Sequence, residues 1–175
     1  MDATRSIIQQ IGLDNAAFNA EFFYDQTSDN VWFLEVNPRI SQSHAEIFER
    51  VQGVSHHSVM VDLALGRKPK PMEKKGKFNI AGHFMFRTFE SGLITRIPSD
   101  AAIQKLAQRQ PGTVVKFQVQ PGQHLKDLQG QDMYSYEIAN VFIGGRDQME
   151  MLDKYDESLA VLQFDIEKDE DIEIV

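Results

Sequence analysis

The feature that most limits how this chain folds is a pair of short apolar segments joined by a polar turn. FNAEFFYD at residues 18–25 and VWFLEVN at residues 31–37 are rich in aromatic and β-branched residues, a composition typical of strands. QTSDN between them is a cluster of turn-forming residues. Pro38 cannot donate to a ladder, so the second segment ends there. The pattern predicts a β-hairpin over residues 18–37.

Strand alternation predicts which side chains share a face of this hairpin. Successive strand residues point to opposite faces, so Glu21 on the first strand and Glu35 and Asn37 on the second are expected to project together. The opposite face is expected to be the core face. Its expected members are Ala20, Phe22, Tyr24, Trp32, Leu34 and Val36.

Two carboxylates and an amide beside apolar residues form a suitable donor set for a hard divalent cation. A semi-buried carboxylate pair is costly unless it is neutralised, and Mg²⁺ binds one or two carboxylates together with substrate phosphates. Arg39, two residues past Asn37, would place a guanidinium beside the same site, where it suits a phosphate or a developing oxyanion. The alternative is that Glu21 and Glu35 are solvated residues on the open face of the hairpin.

The segments around the hairpin predict a mixture of helices and strands. A short amphipathic helix is expected near residues 4–11. After the hairpin, helices are predicted at 43–51, 55–65, 100–109 and 147–162, and strands at 78–90, at 92–98, in TVVKFQVQ and at 135–145. Ser99 is the candidate N-cap of the helix at 100–109. The predicted fold class is α+β, an antiparallel sheet with helices packed beside it.

A Pro/Lys-rich segment, KPKPMEKKGK at residues 68–77, predicts a linker that divides the chain. Residues 1–67 contain the hairpin, residues 78–164 form a second α+β part, and residues 165–175 form an acidic tail. The tail has six acids and one lysine, so it carries −5 of the formal net charge of −8. The rest of the chain is therefore close to neutral and compatible with an anionic ligand.

Composition excludes several functional classes. None of the 175 residues is a cysteine, which excludes disulfides, thiolate nucleophiles and cysteine-based zinc sites. The excess of 26 Asp+Glu over 18 Lys+Arg disfavours a nucleic-acid-binding module. No apolar stretch is long enough to cross a membrane, and the first residues lack a signal-peptide pattern. We therefore expect a cytoplasmic protein that has neither nucleic acid nor a membrane as a partner.

The hairpin resembles the C-terminal metal-binding hairpin of ATP-grasp enzymes, in the branch of biotin carboxylase and carbamoyl-phosphate synthetase. The similarity is carried by AEFFYD and VWFLEVNPRIS. It implies that Glu21, Glu35 and Asn37 hold the Mg²⁺ ions that bridge the phosphates of ATP, with Mn²⁺ as a substitute metal. It also implies that Arg39 stabilises the reacting intermediate.

The resemblance extends past the linker. AGHFMFRTFE is similar to the strand that opens the C-terminal subdomain of biotin carboxylase, which implies that Arg87 is an active-site arginine contacting the acceptor or intermediate. Two departures disfavour biotin carboxylation. Ser43 stands where biotin carboxylases have the glutamate implicated as the base for bicarbonate, and LKDLQGQDMYSY replaces their P-Y-Y-D-S-M segment.

The resemblance implies a C-terminal portion of an ATP-dependent ligase, either a carboxylate–amine ligase or a biotin-carboxylase-like enzyme, that acts through an acyl phosphate. Its expected partners are ATP, a small carboxylate substrate and the missing N-terminal lobes of the same enzyme, with a homodimer left open. The length suggests a cloned fragment or a shortened gene that is a poor catalyst alone. The alternative is a non-catalytic α+β binding or scaffolding domain that retains the family fold.

Several histidines are weaker candidates for the site. His44 follows the hairpin closely and could contact substrate, or it could be a surface residue. His83 shares a strand face with Arg87 and is either a site residue or a satisfied, half-buried histidine. His56 and His57 point about 100° apart on a helix, so one metal ion would not easily use both.

Overall fold

The computed structural model describes residues 2–71, 73–131 and 134–169, and the chain forms two compact units, Met1–Lys77 and Phe78–Val175. The first unit contains three helices and one hairpin within its described residues. Its elements are α1 (Asp2–Ile11), β1 (Asn19–Asp25), β2 (Asn30–Asn37), α2 (Gln42–Gln52) and α3 (His56–Ala64). The predicted hairpin is confirmed, and residues 68–77 lie within the first unit.

The second unit combines two small antiparallel sheets with two helices. Its elements are β3 (Ile80–Thr88), β4 (Gly92–Arg96), α4 (Asp100–Arg109), β5 (Val114–Phe117), a 3₁₀ turn (Leu125–Asp127), β6 (Tyr136–Gly145), α5 (Gln148–Val161) and β7 (Asp165–Lys168). One sheet has the strand order β3-β6-β5, and the other pairs β4 with β7. The predicted α+β class is confirmed.

The helices of the second unit begin where the sequence provides capping side chains. Ser99 precedes α4, and its hydroxyl accepts a hydrogen bond from the backbone N–H of Ala102. Asp147 does the same for α5 by accepting from the N–H of Glu150. Each contact satisfies one of the backbone donors that a helix leaves free in its first turn. The Ser99 cap was predicted from sequence, and the structure confirms it.

The core of the described chain lies mainly in the second unit. Its buried residues form two clusters, one with Ile94, Val119, Leu125 and Ile138, and one with Val141, Ile143 and Leu162. Phe84 and Phe86 pack Tyr155 of α5 against the sheet, with the Phe84 and Tyr155 ring centroids 4.4 Å apart. In the first unit, by contrast, Ala45 is the one described apolar residue that is fully buried.

The predicted core face of the hairpin is wrong in the structure. The register pairs Glu21 with Glu35 but Phe22 with Phe33, so Leu34 is an extra residue in β2. Because of this bulge, the β2 residues before Leu34 point to the face opposite to the one that regular strand alternation predicts. Phe33 therefore packs edge-on against Phe22, at a ring-centroid distance of 5.7 Å. Three of the six expected core residues are exposed, with Tyr24 57%, Trp32 62% and Leu34 51% accessible, while the other three are half-buried.

Part of the acidic tail is structured. Residues 165–168 form β7, which pairs antiparallel with β4. The pairing brings Asp165 to Arg96, whose Nε and Nη2 donate to the two carboxylate oxygens at 2.6 and 2.9 Å. Residues 170–175 lie outside the described part of the chain. Across the described residues, no helix has the length and apolar character needed to cross a lipid bilayer.

Candidate functional site

The hairpin brings the predicted metal ligands to one end of its two strands. Glu21 of β1 is the direct cross-strand partner of Glu35 of β2, and Asn19 is the partner of Asn37. Cross-strand partners share a face of an antiparallel pair, so these four side chains project from the same side. The structure therefore brings together the three residues chosen from sequence and adds Asn19.

The carboxylate of Glu35 is oriented by its neighbour two residues along. Asn37 Nδ2 donates a hydrogen bond to Glu35 Oε1 at 2.6 Å. Within the described residues, no ion pair involves either Glu21 or Glu35. Two like charges directly opposite each other on a hairpin are destabilising unless a cation lies between or near them. Both glutamates are exposed, and a cation near them would offset their mutual repulsion.

Strand alternation places Asn19 on the face of Glu21, but Asn19 was not chosen as a ligand from the sequence. Its Oδ1 atom is buried and has no hydrogen-bond partner among the described residues. A buried polar oxygen without a partner is unusual and indicates a place for a ligand atom or a water molecule. The oxygen donors of this face fit a hard divalent cation with its bound water.

Arg39 follows this face through a tight turn. Its backbone N–H donates to the carbonyl of Asn37 at 2.8 Å, a bond that closes a three-residue turn directly after β2. Its side chain is exposed, and Nη1 donates a long hydrogen bond of 3.5 Å to the backbone carbonyl of Ile40. The guanidinium is therefore available to an anionic ligand.

A small polar cluster lies just beyond Arg39, at the start of α2. His44 Nδ1 is 2.7 Å from Ser41 Oγ, and Ser41 Oγ is 3.1 Å from Ser43 Oγ. Ser41 is the N-cap of α2, yet its side chain makes no cap hydrogen bond because it contacts these two side chains instead. The sequence motif contains the three residues, but their mutual contact depends on the helix start.

Arg87 lies on β3 of the second unit. Its Nη1 donates to Ser135 Oγ at 2.7 Å, and its Nη2 lies 3.6 Å from Glu137 Oε2. Glu137 in turn accepts a 2.6 Å hydrogen bond from Asn140 Nδ2, and Asn140 Oδ1 is hydrogen-bonded to His83 Nε2. This hydrogen-bond network joins β3 to β6.

His83 is half-buried and satisfied. Its ring stacks on Phe142 at a centroid distance of 4.4 Å, in addition to its bond to Asn140. A ring held on both its face and its edge has little freedom to follow a substrate. These contacts match the structural alternative considered for His83. Among the described residues, no group of three His, Cys, Asp or Glu side chains could hold a metal ion by itself, and this applies to His56 and His57 as it does to Glu21 and Glu35.

Comparison with known proteins adds family evidence for the first unit. Residues 1–71 match the family model described as "Carbamoyl-phosphate synthase L chain, ATP binding domain". The matched region contains the whole hairpin and Arg39. The chain is also 28% identical over 100 residues to the carbamoyl phosphate synthase large chain of Xylella fastidiosa, across 55% of this chain and 9% of that protein.

The resemblance to the ATP-grasp enzymes is confirmed. Two solved structures share the ATP-grasp fold. The L-amino acid ligase from Bacillus licheniformis matches 95% of this chain and 42% of its own, with a TM-score of 0.71 and 17% identity. The biotin carboxylase domain of the 2-oxoglutarate carboxylase from Hydrogenobacter thermophilus, a dimer in complex with MgADP and bicarbonate, matches 94% of this chain and 35% of its own, with a TM-score of 0.67 and 19% identity. The chain spans 9% of the curated relative and less than half of each of these two structures.

Proposed function

We propose that this chain is the C-terminal portion of an ATP-grasp ligase, and that its hairpin binds Mg²⁺ together with the phosphates of ATP. The observation that carries the proposal is the direct opposition of Glu21 and Glu35, with Asn37 orienting the second carboxylate. Two carboxylates and an amide are too few donors to surround Mg²⁺, so nucleotide phosphates and water would complete its coordination. Mn²⁺ would serve as a substitute metal.

The chemistry proposed for this site proceeds in two displacements. A carboxylate oxygen of the substrate attacks the γ-phosphorus of ATP, and ADP leaves to give an acyl phosphate. The nitrogen of an amine then attacks the acyl carbon, and phosphate leaves with the electron pair of the broken C–O bond. Glu21, Glu35 and Asn37 would hold the metal that offsets charge on the transferring phosphoryl group, and Arg39 would stabilise the same charge from its exposed guanidinium.

The acceptor of the reaction separates a carboxylase from a carboxylate–amine ligase. Both kinds of enzyme occur among the fold relatives, so the fold does not choose between them. Ser43 favours the second kind, because a hydroxyl bonded into the Ser41 cluster is a poor base for bicarbonate. Arg87 would contact the acceptor or the intermediate. Its bonds to Glu137 and Ser135 would hold the guanidinium in one orientation.

The exposed apolar hairpin supports a partner that supplies the N-terminal ATP-grasp lobes. Phe23 is 63% and Trp32 62% accessible, and both strands of the hairpin leave large side chains in solvent. Exposed apolar patches of this kind mark interaction surfaces. Packing of the missing lobes on the hairpin would bury these residues and would complete the ATP site. A homodimer and a cytoplasmic location remain part of the proposal.

Metal binding by the chain tests the proposal without requiring turnover. We expect the wild type to bind Mn²⁺ weakly, as measured by the loss of the free-ion electron paramagnetic resonance signal, and Glu35→Gln to abolish that binding. Glu49→Gln is the matched control, because Glu49 is an exposed glutamate on α2 of the same unit. Equal Mn²⁺ binding by wild type and Glu35→Gln would contradict the metal assignment.

The second candidate function is a binding or scaffolding domain that retains the fold without the chemistry. The low burial of the first unit favours it, since a surface of this kind suits docking. The two candidates differ in calorimetric titration with Mg-ADP. A ligase portion should bind Mg-ADP more tightly once its N-terminal lobes are supplied, whereas a scaffold should bind neither metal nor nucleotide in either state.

A further inference from the structure

The contact between His44 and Ser41 has a geometry that suits proton transfer. His44 is in the first turn of α2, and helix side chains tilt toward the N-terminus of their helix. The tilt directs the imidazole back toward the segment that follows Arg39. Ser41 is 9% accessible, while the side chain of His44 is exposed. One end of the ring is thus held by a buried hydroxyl, and the other end is open to a ligand.

The hydrogen bond determines which ring nitrogen is free. Two arrangements are compatible with the distances among His44, Ser41 and Ser43. In the first, Nδ1–H donates to Ser41 Oγ, and the Ser41 hydroxyl donates to Ser43 Oγ, which leaves Nε2 with an open lone pair. In the second, the Ser41 hydroxyl donates to Nδ1, and Nε2 carries the proton. Only the first arrangement makes Nε2 a proton acceptor.

We propose that His44 Nε2 accepts the proton of the acceptor amine, and that Ser41 is the positioning residue that holds His44 in this tautomer. The proposal rests on the ligase function proposed above. As the amine nitrogen forms its bond to the acyl carbon, the C–O bond to phosphate breaks, phosphate takes the electron pair, and the nitrogen's proton moves to Nε2. An imidazole suits this task because it ordinarily changes charge near neutral pH.

The surroundings of His44 are consistent with this role. Glu21 and Glu35 are committed to the metal in the proposed site, and Ser43 is a weak base. Arg39 lies five residues before His44, on the other side of Ser41. On the packed helix α3, the pKa of His56 is lowered by burial, then by the charge of His57 and then by that of His44.

The tautomer can be measured on the 175-residue chain itself. Long-range ¹H–¹⁵N spectra of the imidazoles, recorded where they are neutral, should show His44 protonated at Nδ1 and unprotonated at Nε2. Ser41→Ala should return His44 to the Nε2–H tautomer that a free neutral imidazole favours. His57→Gln, which changes an exposed neighbour on α3, should leave the His44 signals in place. A wild-type His44 protonated at Nε2 would overturn the proposal, whatever the chain's function.

A trapping experiment in the complete enzyme separates the two proposals. Hydroxylamine is largely unprotonated at neutral pH and attacks an acyl phosphate readily, releasing its proton to water, whereas an amino acid amine is an ammonium ion and must lose a proton before it can attack. With ATP, Mg²⁺ and pooled L-amino acids as probes, His44→Gln should lower the ratio of amide to hydroxamate by about a hundredfold. His57→Gln should keep the wild-type ratio, and Ser41→Ala should lower it less than His44→Gln does.

Each outcome of the trapping experiment is decisive. An unchanged ratio in His44→Gln overturns the assignment of His44 while the ligase function stands. A wild type that forms no hydroxamate with ATP overturns the ligase function and the assignment together. A pH profile of amide formation adds a readout that a structural role would not change: the wild-type rate should fall in acid, and His44→Gln should lose that fall.

Discussion

Glu21 and Glu35 are direct cross-strand partners, although an extra residue, Leu34, immediately precedes Glu35 in β2. The bulge lies on the turn side of the pair, so it leaves the acidic and amide residues at the open end in register. It also turns Phe33 to the opposite face from Glu35. A bulge that redirects side chains beside a functional site is a common device in sheets. Here it separates the ligand end of the hairpin from its aromatic end.

The orphaned oxygen of Asn19 predicts a contribution to metal affinity. We expect Asn19→Ala to weaken Mn²⁺ binding by about tenfold, because it removes the buried oxygen that would accept a hydrogen bond from metal-bound water. The measurement is Mn²⁺ titration followed by electron paramagnetic resonance. Asn30→Ala, at the turn end of the same hairpin, should bind Mn²⁺ as the wild type does. An equal loss in both variants would point to general disruption of the hairpin.

The single tryptophan of the chain reports on the exposed hairpin. Trp32 is 62% accessible, so acrylamide should quench its fluorescence almost as efficiently as it quenches free tryptophan amide. If the proposed N-terminal lobes pack on the hairpin, their addition should shift the emission to shorter wavelength and reduce the quenching. Poor quenching in the chain by itself would mean that the hairpin is already covered.

The stacked ring of His56 predicts a pH dependence of stability near neutrality. The pKa of His56 is lowered, first by burial and then by the charges of His57 and His44. As the pH falls below about 6.5, the unfolded chain binds a proton that the folded chain resists, so the free energy of unfolding decreases. The free energy of unfolding stops decreasing once His56 is protonated in the folded chain as well.

Replacement of His56 by phenylalanine isolates this effect. In the wild type, the rings of His56 and Phe48 stack at a centroid distance of 4.0 Å. His56→Phe should keep this stacking and should flatten the pH dependence of stability. Urea denaturation between about pH 5 and pH 8 measures it, and Met60→Leu, at an exposed and uncharged position of the same helix, is the control. A wild-type slope that survives in His56→Phe would assign the pH dependence to another group.

The ion pair between Asp165 and Arg96 predicts a second pH dependence of stability, at more acidic pH. The hydrogen bonds from Arg96 lower the pKa of Asp165. A carboxyl with a lowered pKa stabilises the fold above its ordinary value of about 3.9, and this contribution is lost as the pH falls through the folded-state pKa. Asp165→Asn should therefore lower the melting temperature at neutral pH and reduce its further fall in acid. Asp153→Asn, at an exposed position of α5, should resemble the wild type.

The local sequence pattern was sufficient to predict most of the secondary structure. The hairpin strands were predicted because aromatic residues flank a polar turn, and α4 because Ser99 precedes a helical pattern. Strand β7 was missed for the opposite reason. DIEK is highly charged and has no strong local preference, and it becomes a strand through pairing with β4, where Arg96 meets Asp165 across 69 positions of sequence.

The sequence by itself determined which side chains share the candidate face, because strand alternation suffices to place two carboxylates and an amide together on one hairpin. Only the tertiary structure decided how those groups are arranged. The bulge at Leu34, the orphaned oxygen of Asn19 and the contact between Ser41 and His44 depend on register and on the start of a helix. Such features arise from backbone hydrogen bonds between separate segments, and no alternation or spacing in the sequence records them.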